Sequence, residues 1–540
     1  MRDAKVLLAG GVLILAGCSF APEPRTPAVV LDIPAEYPAG VEDTAADGSD
    51  ALAAETREPE RWWTVYNDPV LEALVDTALA ANLDLREAIA RVEEVRERYR
   101  IARADLIPSL GLAADASYQD TPTNAGFAGE IGGGGEEGEP GQPPGGSLFP
   151  DRFKYDTYTA AIGFSYEIDF WGRARNDTKA AVSDFLASEG DYQTARLAVI
   201  SAVISTYLEV VELRRSVELT RESVDILEER ADRTNERYLR GLVTTFELYT
   251  IEALYRNTQA ALPVLESALA EAEGRLAILL GRYAGSLDEI LDLESRPAVV
   301  LDDVPADLTT ALLEERPDVW AAWQRMEAAR YRIGARKAQL YPAIRLDATV
   351  GLQAGDIGDL FRLDQYFLNL VGGLTQPLFQ GGRLRANVGV AEAQFQAQAA
   401  NYVRTVLTAF KEVQTSLVNL EKQSERYEFL SQQLVSAQGS LAFQRRSFER
   451  GVGDYLAYLD AKQNLAGTQT NLAAAERSLA EARLAVHRAL GGAWIDDGND
   501  LDRRLEQEYR IMDEEMFSGG TTEGAIAGPA TDSEGPEALR

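Results

Sequence analysis

The residue types that most often carry out chemistry in proteins are scarce in this 540-residue chain, which has one cysteine and one histidine. A single cysteine excludes an intramolecular disulfide and a zinc site built from cysteines, and a single histidine excludes a His-rich metal site. The single histidine also disfavours a catalytic triad. This residue, His487, lies in a predicted helix beside Arg488 and is interpreted as a surface or packing residue. The glycine run at 132–135 lacks the Gly-Lys-Ser/Thr ending of a phosphate-binding loop. We therefore predict a protein that is not an enzyme and binds no metal or cofactor.

The one cysteine, Cys18, ends a short apolar segment near the N-terminus. Arg2 and Lys5 form a basic region, and the twelve residues Val6–Gly17 that follow are apolar and small. A bilayer span takes roughly 20 residues, so this segment predicts an export signal and not a membrane helix. Its ending, Leu-Ala-Gly-Cys, resembles a bacterial lipobox, in which the thiol is diacylated and becomes the mature N-terminus. We predict a signal peptide over 1–17 and a lipid anchor on Cys18; the alternative is an ordinary signal peptide with a chance cysteine.

Two further features concern the membrane. Ser19 follows the cysteine, and by analogy with Gram-negative lipoproteins a residue other than Asp there favours sorting to the outer membrane. No later segment reaches 18 consecutive apolar residues, which predicts no transmembrane helix. An exported, lipid-anchored chain of this kind can cross a membrane only with β-strands.

The chain is strongly acidic, with 53 Lys and Arg against 86 Asp and Glu and a formal net charge of −33. This balance argues against nucleic acid as a partner, since binding a polyanion needs clustered cations. Most of the excess acid lies in segments rich in Pro, Gly, Ser or Thr. We predict them to be a linker over 18–60, a long loop over 120–155 and a disordered tail over 496–540. The negative charge of these segments either keeps them solvated or creates an electric field that acts on a substrate.

The sequence contains the same plan twice. Landmarks in 82–112 recur in 316–346 at a constant offset of 234, and landmarks in 172–281 recur in 382–491 at a constant offset of 210. The difference of 24 residues falls in the Gly/Pro-rich loop of the first copy. Constant offsets over such distances predict a duplication, with one repeat over 61–295 and the second over 296–495.

Each repeat has the same order of predicted elements: a helix, two strands and two long helices. Both first helices end before a proline, and the strands begin just past it with alternating apolar residues. The long helices contain almost no Gly or Pro and would be about 100 Å long at 1.5 Å per residue. The predicted bounds in repeat one are Pro69–Ala104, 109–119, 156–168, 173–240 and 242–280. In repeat two they are 308–339, 343–353, 366–378, 383–450 and 454–490.

The first long helix is apolar on two opposed faces. Between 197 and 217, one stripe includes Ile200, Ile204 and Tyr207, and a second includes Val199 and Val203 about 200° away. Such a helix has a neighbour on each side, which predicts a wall one helix thick. The alternative, an antiparallel coiled-coil scaffold, needs one seam only.

Four predicted strands cannot close by themselves. Lipid forbids an unpaired strand edge, so membrane strands must form a closed barrel of eight or more. The chain therefore either does not span the membrane or closes its barrel with further copies of itself.

These ordered landmarks resemble the TolC-like outer-membrane factors, and most closely their lipoprotein NodT-type efflux components. The resemblance covers roughly 61–495 and rests on the lipobox, Trp62-Trp63 before a helix, Asn82-Leu83-Asp84-Leu85, the paired strands and the Arg-Gly turns. It implies an α+β membrane protein: a homotrimer with a 12-stranded β-barrel in outer-membrane lipid, continued by a long α-helical periplasmic barrel. It also implies docking to a periplasmic adaptor protein and an inner-membrane pump, most often of the resistance-nodulation-division type.

In this family the two Arg-Gly turns lie at the periplasmic tip, where the tunnel narrows, so Gly241 and Gly451 are the implied turn glycines. After the second turn, Asp460 matches the acid of the family's Leu-Asp-Ala signature, and Leu456 matches an apolar position at the aperture. An additional aspartate of some relatives is replaced by Ala457, for which Asp454 is a substitute candidate. In repeat one, Glu247 occupies the position equivalent to Ala457. Three copies of a carboxylate around a threefold axis would repel one another, attract cations and respond to pH. The alternative is that Asp460 caps or pairs within its own subunit.

The preferred hypothesis is an outer-membrane channel that passively conducts small molecules in a tripartite efflux system. One alternative is the outer-membrane channel of a type I protein secretion system. A second is a periplasmic lipoprotein scaffold that forms no channel. The transported substrates cannot be read from the sequence, because a wide conduit carries little specificity of its own.

Overall fold

The structure is a computed structural model, and it describes residues 20–22, 61–122, 152–283, 285 and 316–491. Cys18 and the signal peptide lie outside the described residues, as do most of the linker and long loop, the segment between the repeats and the acidic tail. The interpretations of these segments stay predictions.

Repeat one begins with a short 3-10 helix, Trp62–Tyr66. It continues with α1 (Pro69–Ala81), α2 (Leu83–Ala104), β1 (Ser109–Pro122), β2 (Arg152–Ile168), α3 (Arg173–Leu239) and α4 (Thr245–Leu279). The single helix predicted over Pro69–Ala104 is divided at Asn82. This residue has extended backbone angles, and its side-chain oxygen accepts a hydrogen bond from the backbone N–H of Leu85 at 3.1 Å. Asn82 therefore ends α1 and caps the start of α2.

The elements of repeat two are α5 (Pro317–Ala338), β3 (Ala343–Ala354), a 3-10 turn (Leu363–Gln365), β4 (Tyr366–Thr375), α6 (Arg383–Glu449) and α7 (Tyr455–Ala489). The helix predicted from Leu308 is described only from Pro317, where proline occupies the first helical turn. The strand predicted over 366–378 ends at Thr375. Pro377 follows two residues later, and proline has no N–H with which to extend a strand ladder.

The four strands form one antiparallel sheet in the order β1-β2-β3-β4. The first two strands are longer than predicted, because Asp120 pairs with Lys154 in register and Arg152 donates to Asp120 at 2.6 Å. The pairing of β2 with β3 joins the two repeats. Within the described residues, β1 and β4 are the two edges of the sheet, and each has a partner on one side only.

Helix α3 connects most of the molecule and is 67 residues long. Near the sheet it packs between α2 and α5, and further away it packs between α4 and α7. Helix α6, also 67 residues long, packs against α5 and α7. Side by side, the helices far from the sheet run in the order α4, α3, α7, α6.

The two apolar stripes predicted on α3 are both buried, as Val203 and Ile204 at 0% exposure illustrate. This confirms the prediction of neighbours on two sides, and the one-seam coiled coil is wrong for α3. By length and composition, an 18-residue window of α3 is apolar enough to cross a membrane, and it is the one such helix among the described residues. Half of that window is buried inside the protein, as expected of a core helix.

The largest buried cluster joins the start of repeat one to the last helix of repeat two. The hydroxyl of Tyr66 donates to the carbonyl oxygen of Ala480 at 3.0 Å, and Trp62 stacks on His487 with ring centroids 4.9 Å apart. His487 is 2% exposed, so it is a packing residue. Burial, and secondarily the charge of Arg483, lowers the pKa of His487 from 6.5 to about 3.

This buried imidazole predicts a pH-dependent stability. Because the folded-state pKa lies below 6.5, the unfolded chain binds a proton that the folded chain refuses, so stability is lost as pH falls from 6.5 towards 3. Between pH 7 and pH 5 the wild type should lose about 2 kcal/mol more than a His487→Gln variant, at about 1.4 kcal/mol per unit. The measurement is the free energy of unfolding in detergent at both pH values. Equal losses of unfolding free energy in the wild type and the His487→Gln variant would contradict this prediction.

Candidate functional site

The strand pairing separates apolar from polar residues onto opposite faces of the sheet. One cross-strand row runs through Leu112, Ile162, Val350 and Leu368, which are 80%, 50%, 49% and 70% exposed. The neighbouring row on the same face includes Leu110, Phe164 and Leu370. Exposed apolar rows of this kind on a sheet indicate contact with lipid or another apolar partner.

The opposite face of the sheet is polar. The cross-strand pairs on it include Ser165 with Asp347, Glu167 with Arg345, and Thr349 with Asn369. The hydroxyl of Ser165 donates to the carboxylate of Asp347 at 2.6 Å. A sheet that is apolar on one face and polar on the other can separate lipid from water.

Charged residues mark the place where the strands become helices. Arg173, at the start of α3, donates to Glu167 at the end of β2 at 2.9 Å, and Arg345 of β3 lies 3.8 Å from the same carboxylate. Asp177, one turn further into α3, lies 3.9 Å from Arg336 of α5, and burial raises its pKa. These ion pairs fix the direction in which α3 leaves the sheet.

At the end of the molecule away from the sheet, the chain turns at a glycine between the two long helices of each repeat. Gly241 has φ +72° and Gly451 has φ +74°, both in the left-handed region that favours glycine. The N–H of Gly241 donates to the carbonyl of Tyr238 and the N–H of Gly451 to that of Phe448, both at 2.8 Å. The two predicted turn glycines therefore end α3 and α6 in equivalent conformations.

The structure brings two of the predicted acids, Asp454 and Asp460, against the end of α3. Asp454 caps α7, since its carboxylate accepts from the N–H of Leu456 at 3.2 Å, and it also lies 3.6 Å from Arg237. Asp460 forms an ion pair with Arg230 of the same chain, although its side chain is 52% exposed. Asp460 therefore has a cationic partner within its own chain, and its place at an aperture stays a prediction.

The other two predicted aperture residues are placed differently. Leu456 is half-buried on the first turn of α7. Glu247 is exposed on α4, which lies on the opposite side of α3 from α7. Thr244 caps α4 by accepting the N–H of Glu247 at 3.2 Å, and among the described residues the carboxylate of Glu247 has no ion pair in the structure. The structure therefore does not bring Glu247 together with Asp460 in one chain.

Sequence reasoning missed the aromatic and basic partners at this end. The hydroxyl of Tyr455 donates to Glu229 at 2.6 Å, and this hydrogen bond raises the pKa of Tyr455. Arg233 lies over the ring of Tyr455 at 5.8 Å, and the ring of Phe448 lies 4.8 Å from it. One signal was available. Arginines recur along α3 at 230, 233 and 237, with the spacing of a single helix face, and such a face predicts an acidic partner.

No group of three or more potential metal ligands occurs in the part of the chain that the structure describes. The candidate site is the amphipathic sheet together with the paired helix ends.

A family of proteins described as "Outer membrane efflux protein" matches this chain over residues 74–282 and 308–492. The chain is 28% identical to TtgC of Pseudomonas putida, a "probable efflux pump outer membrane protein", over 94% of this chain and 99% of TtgC. It is 27% identical to SilC of Salmonella typhimurium, a "probable outer membrane lipoprotein", over 92% of this chain and all of SilC.

The fold is similar to a crystal structure of the open state of the Neisseria gonorrhoeae MtrE outer membrane channel. The TM-score is 0.70 at 26% identity, and the similarity covers 88% of this chain and 98% of MtrE. The expected resemblance to outer-membrane efflux factors is therefore confirmed.

The ion pair between Arg230 and Asp460 allows a thermodynamic test. Because Asp460 is half exposed, the coupling energy between the two side chains should be below about 1 kcal/mol and should shrink with added salt. A double-mutant cycle with Arg230→Gln and Asp460→Asn, followed by chemical unfolding, measures it. The matched control cycle pairs Arg230→Gln with Glu247→Gln and should give no coupling. Equal values in the two cycles would refute the pairing.

Proposed function

Because this chain belongs to the outer membrane efflux protein family, we propose that three copies of it form a passive outer-membrane channel of a tripartite efflux system. The protein is an outer-membrane efflux component, as its relatives are. The finer features of the proposal are the trimer, the closed barrel, its partners and the state of its tip.

The amphipathic sheet with two edges is the observation that carries the proposal. Three four-stranded sheets supply 12 strands if β4 of each copy pairs with β1 of the next. This closure leaves no strand edge in lipid, which is the condition for spanning a membrane. The row through Leu112 and Ile162 then faces lipid, and the face with Glu167 and Asp347 lines a polar lumen.

The long helices extend the same arrangement beyond the membrane. Their length, about 100 Å, suits a tube that crosses much of the periplasm. Apolar side chains on the two outer helices support contacts with the neighbouring copies: Phe429 and Phe443 of α6 are 67% and 62% exposed, and Phe246 and Tyr249 of α4 are 81% and 63% exposed. We infer a helical barrel in which α6 of one copy lies near α4 of the next.

A tube of this kind provides a path but no driving force. Under the proposal, an inner-membrane pump supplies the energy and a periplasmic adaptor connects the pump to the tip of the helical barrel. A pump of the resistance-nodulation-division type is the proposed partner. The polar lumen face of the sheet suits a water-filled path for solutes.

At the tip, we propose that ion pairs hold the helix ends together at rest. Asp460 with Arg230, and Asp454 with Arg237, join α7 to α3 and partly neutralise the two acids. Opening would require α7 to move relative to α3 and would break these pairs. Leu456 would add an apolar constriction and Glu247 a carboxylate from the adjacent pair of helices.

Efflux is favoured over protein secretion because TtgC is called an efflux pump protein and aligns over nearly its whole length. A type I secretion channel differs from an efflux channel in its inner-membrane partner. Purification of the complex and identification of its adaptor and pump therefore distinguish the two functions. A periplasmic scaffold would conduct no ions in planar bilayers.

The channel proposal predicts that the purified protein is a trimer and conducts ions in planar lipid bilayers. Asp460→Asn and Arg230→Gln should each raise conductance, because they remove the same ion pair, and Leu456→Ala should raise it by widening the apolar constriction. Asp454→Asn in an Arg237→Gln background is the matched control, since that pair is already broken and little further change is expected. A strictly monomeric, non-conducting protein would overturn the channel, and unchanged conductance in all tip variants would overturn the resting state of the tip.

The lipid anchor has a separate test. Cys18→Ala should abolish labelling of the protein by fatty acid in cells, because the thiol that accepts the diacylglyceryl group is removed. Ser19→Ala, which retains the cysteine, is the control and should label normally. Fatty-acid labelling that persists in Cys18→Ala would show that the cysteine is not the lipidated residue.

A further inference from the structure

The strand registers of the sheet follow the internal duplication. Leu112 of β1 pairs with Ile162 of β2. At the repeat offsets of 234 and 210, these positions correspond to Leu346 and Gly372, which pair with each other in β3 and β4. The register of one hairpin therefore predicts the register of the other, and the two offsets relate equivalent strand contacts in the two repeats.

The same offsets apply to the contact between the repeats. Within the chain, β2 of repeat one pairs with β3 of repeat two, with Gly163 opposite Thr349. The equivalent contact joins β4 of one copy to β1 of the next, as in the barrel of the proposed function. Gly373 then takes the place of Gly163, and Asp115 takes the place of Thr349. The duplication therefore predicts that Gly373 lies opposite Asp115 of the next copy.

The lengths and faces of the two edge strands agree with this register. Strand β4, Tyr366–Thr375, would pair with 113–122 of the next copy, so its first residue meets Pro122, the last residue of β1. The apolar faces also continue into one another, since Leu370 falls opposite Tyr118, and both side chains are more than half exposed in one chain. A slip of one residue would place the apolar face of one strand beside the polar face of the other.

The polar face of the sheet carries charges that are incompletely paired within one chain. The side chain of Arg345 is 61% exposed and lies 3.8 Å from Glu167, whose carboxylate already accepts a hydrogen bond from Arg173 at 2.9 Å. Asp115 lies on the same face and forms no ion pair with any residue that the structure describes. Each chain therefore presents one loosely paired cation and one unpaired anion on this face.

Gly373 keeps the space between these two groups open. Arg345 pairs with Gly373 in the sheet, so in the predicted register Gly373 lies between Arg345 and Asp115 of the next copy. Within the described part of the chain, a Cβ at 373 would meet only the backbone oxygen of Arg345, at 4.0 Å, and the φ of Gly373 is not positive. Neither packing nor backbone conformation in one chain requires this glycine. Glycine inside a strand often marks a place where another group approaches closely.

We propose that neighbouring copies join in this register and that Arg345 reaches across Gly373 to form an ion pair with Asp115 of the next copy. Neighbouring strands lie about 4.8 Å apart, so two intervals separate the backbones by roughly 10 Å, which the two side chains together can span. The barrel would contain three such pairs, one at each contact between copies. Opposite charges on the two sides of the contact favour this register over a slipped one. The inference rests on the trimer of the proposed function.

Disulfide formation between introduced cysteines tests the register. Gln119 should lie opposite Asn369 of the next copy, because Gln353 and Thr159 pair at the equivalent positions. Oxidation of the purified Gln119→Cys/Asn369→Cys protein in detergent should give covalent dimers and trimers on non-reducing gels. Combining Gln119→Cys with Phe367→Cys gives a pair slipped by two residues. It should crosslink roughly 10-fold more slowly, because diagonal neighbours lie about 7–8 Å apart and a disulfide needs Cβ atoms about 4 Å apart.

Single-cysteine variants are the controls for crosslinks through Cys18. Faster crosslinking of the slipped pair than of the registered pair would overturn the proposed register and leave the trimer intact. The absence of covalent oligomers from both pairs would overturn the register together with the closed barrel of the proposed function.

Exchange of the two charges tests the ion pair. Asp115→Arg places two arginines together and should lower the temperature at which the detergent-solubilised trimer dissociates, and high salt should reduce this effect. Adding Arg345→Asp should restore most of the lost thermal stability. The matched control adds Arg362→Asp instead, because Arg362 is also an exposed arginine, at 60%, but lies in the turn between β3 and β4. No rescue by Arg345→Asp, or equal rescue by Arg362→Asp, would overturn the ion pair.

Discussion

An unpaired strand edge cannot be exposed to lipid, and the rest of this structure depends on that constraint. One chain supplies a four-stranded sheet with its apolar face exposed and with edges at β1 and β4. Under the proposed function one operation, the addition of two further copies around an axis, pairs both edges, and the apolar face then lies in lipid. The polar face then encloses the lumen, with no additional element required to cover it.

The same operation explains why the helices form a wall and not a globular bundle. A helix that continues from a strand in a closed barrel has barrel neighbours on two sides and water on the other two. The buried stripes of α3 at Ile204 and Val203 satisfy this condition within one chain. Polar pairs join α3 to its neighbours at the margins of these stripes. Arg214 and Glu273, 2.6 Å apart and partly buried, are an example that links α3 to α4.

Signals that act within a few residues predicted the helices and strands well. Glycines predicted the left-handed turns at Gly241 and Gly451, and the spacing of apolar residues predicted the two buried faces of α3. The break at Asn82 was missed, because a capping asparagine inside a helical pattern is recognised only when its side chain is seen to bond the backbone. The partner of Asp460 was missed because Arg230 is far away along the chain and meets it only through helix packing.

The two halves of the chain have the same order of strands and long helices, but their positions in the chain give them different environments. Helices α3 and α6 have the same length, yet α3 is buried along most of its course and α6 is not: Val435 and Phe429 of α6 are 69% and 67% exposed. Helix α3 has neighbours from both repeats, whereas α6 stands at the edge and has them on one side. Apolar residues on that uncovered face support the proposed contact with a second copy. Under the proposed function the complementary edge is α4 of that copy, so the contact is heterologous and rotation around an axis closes it.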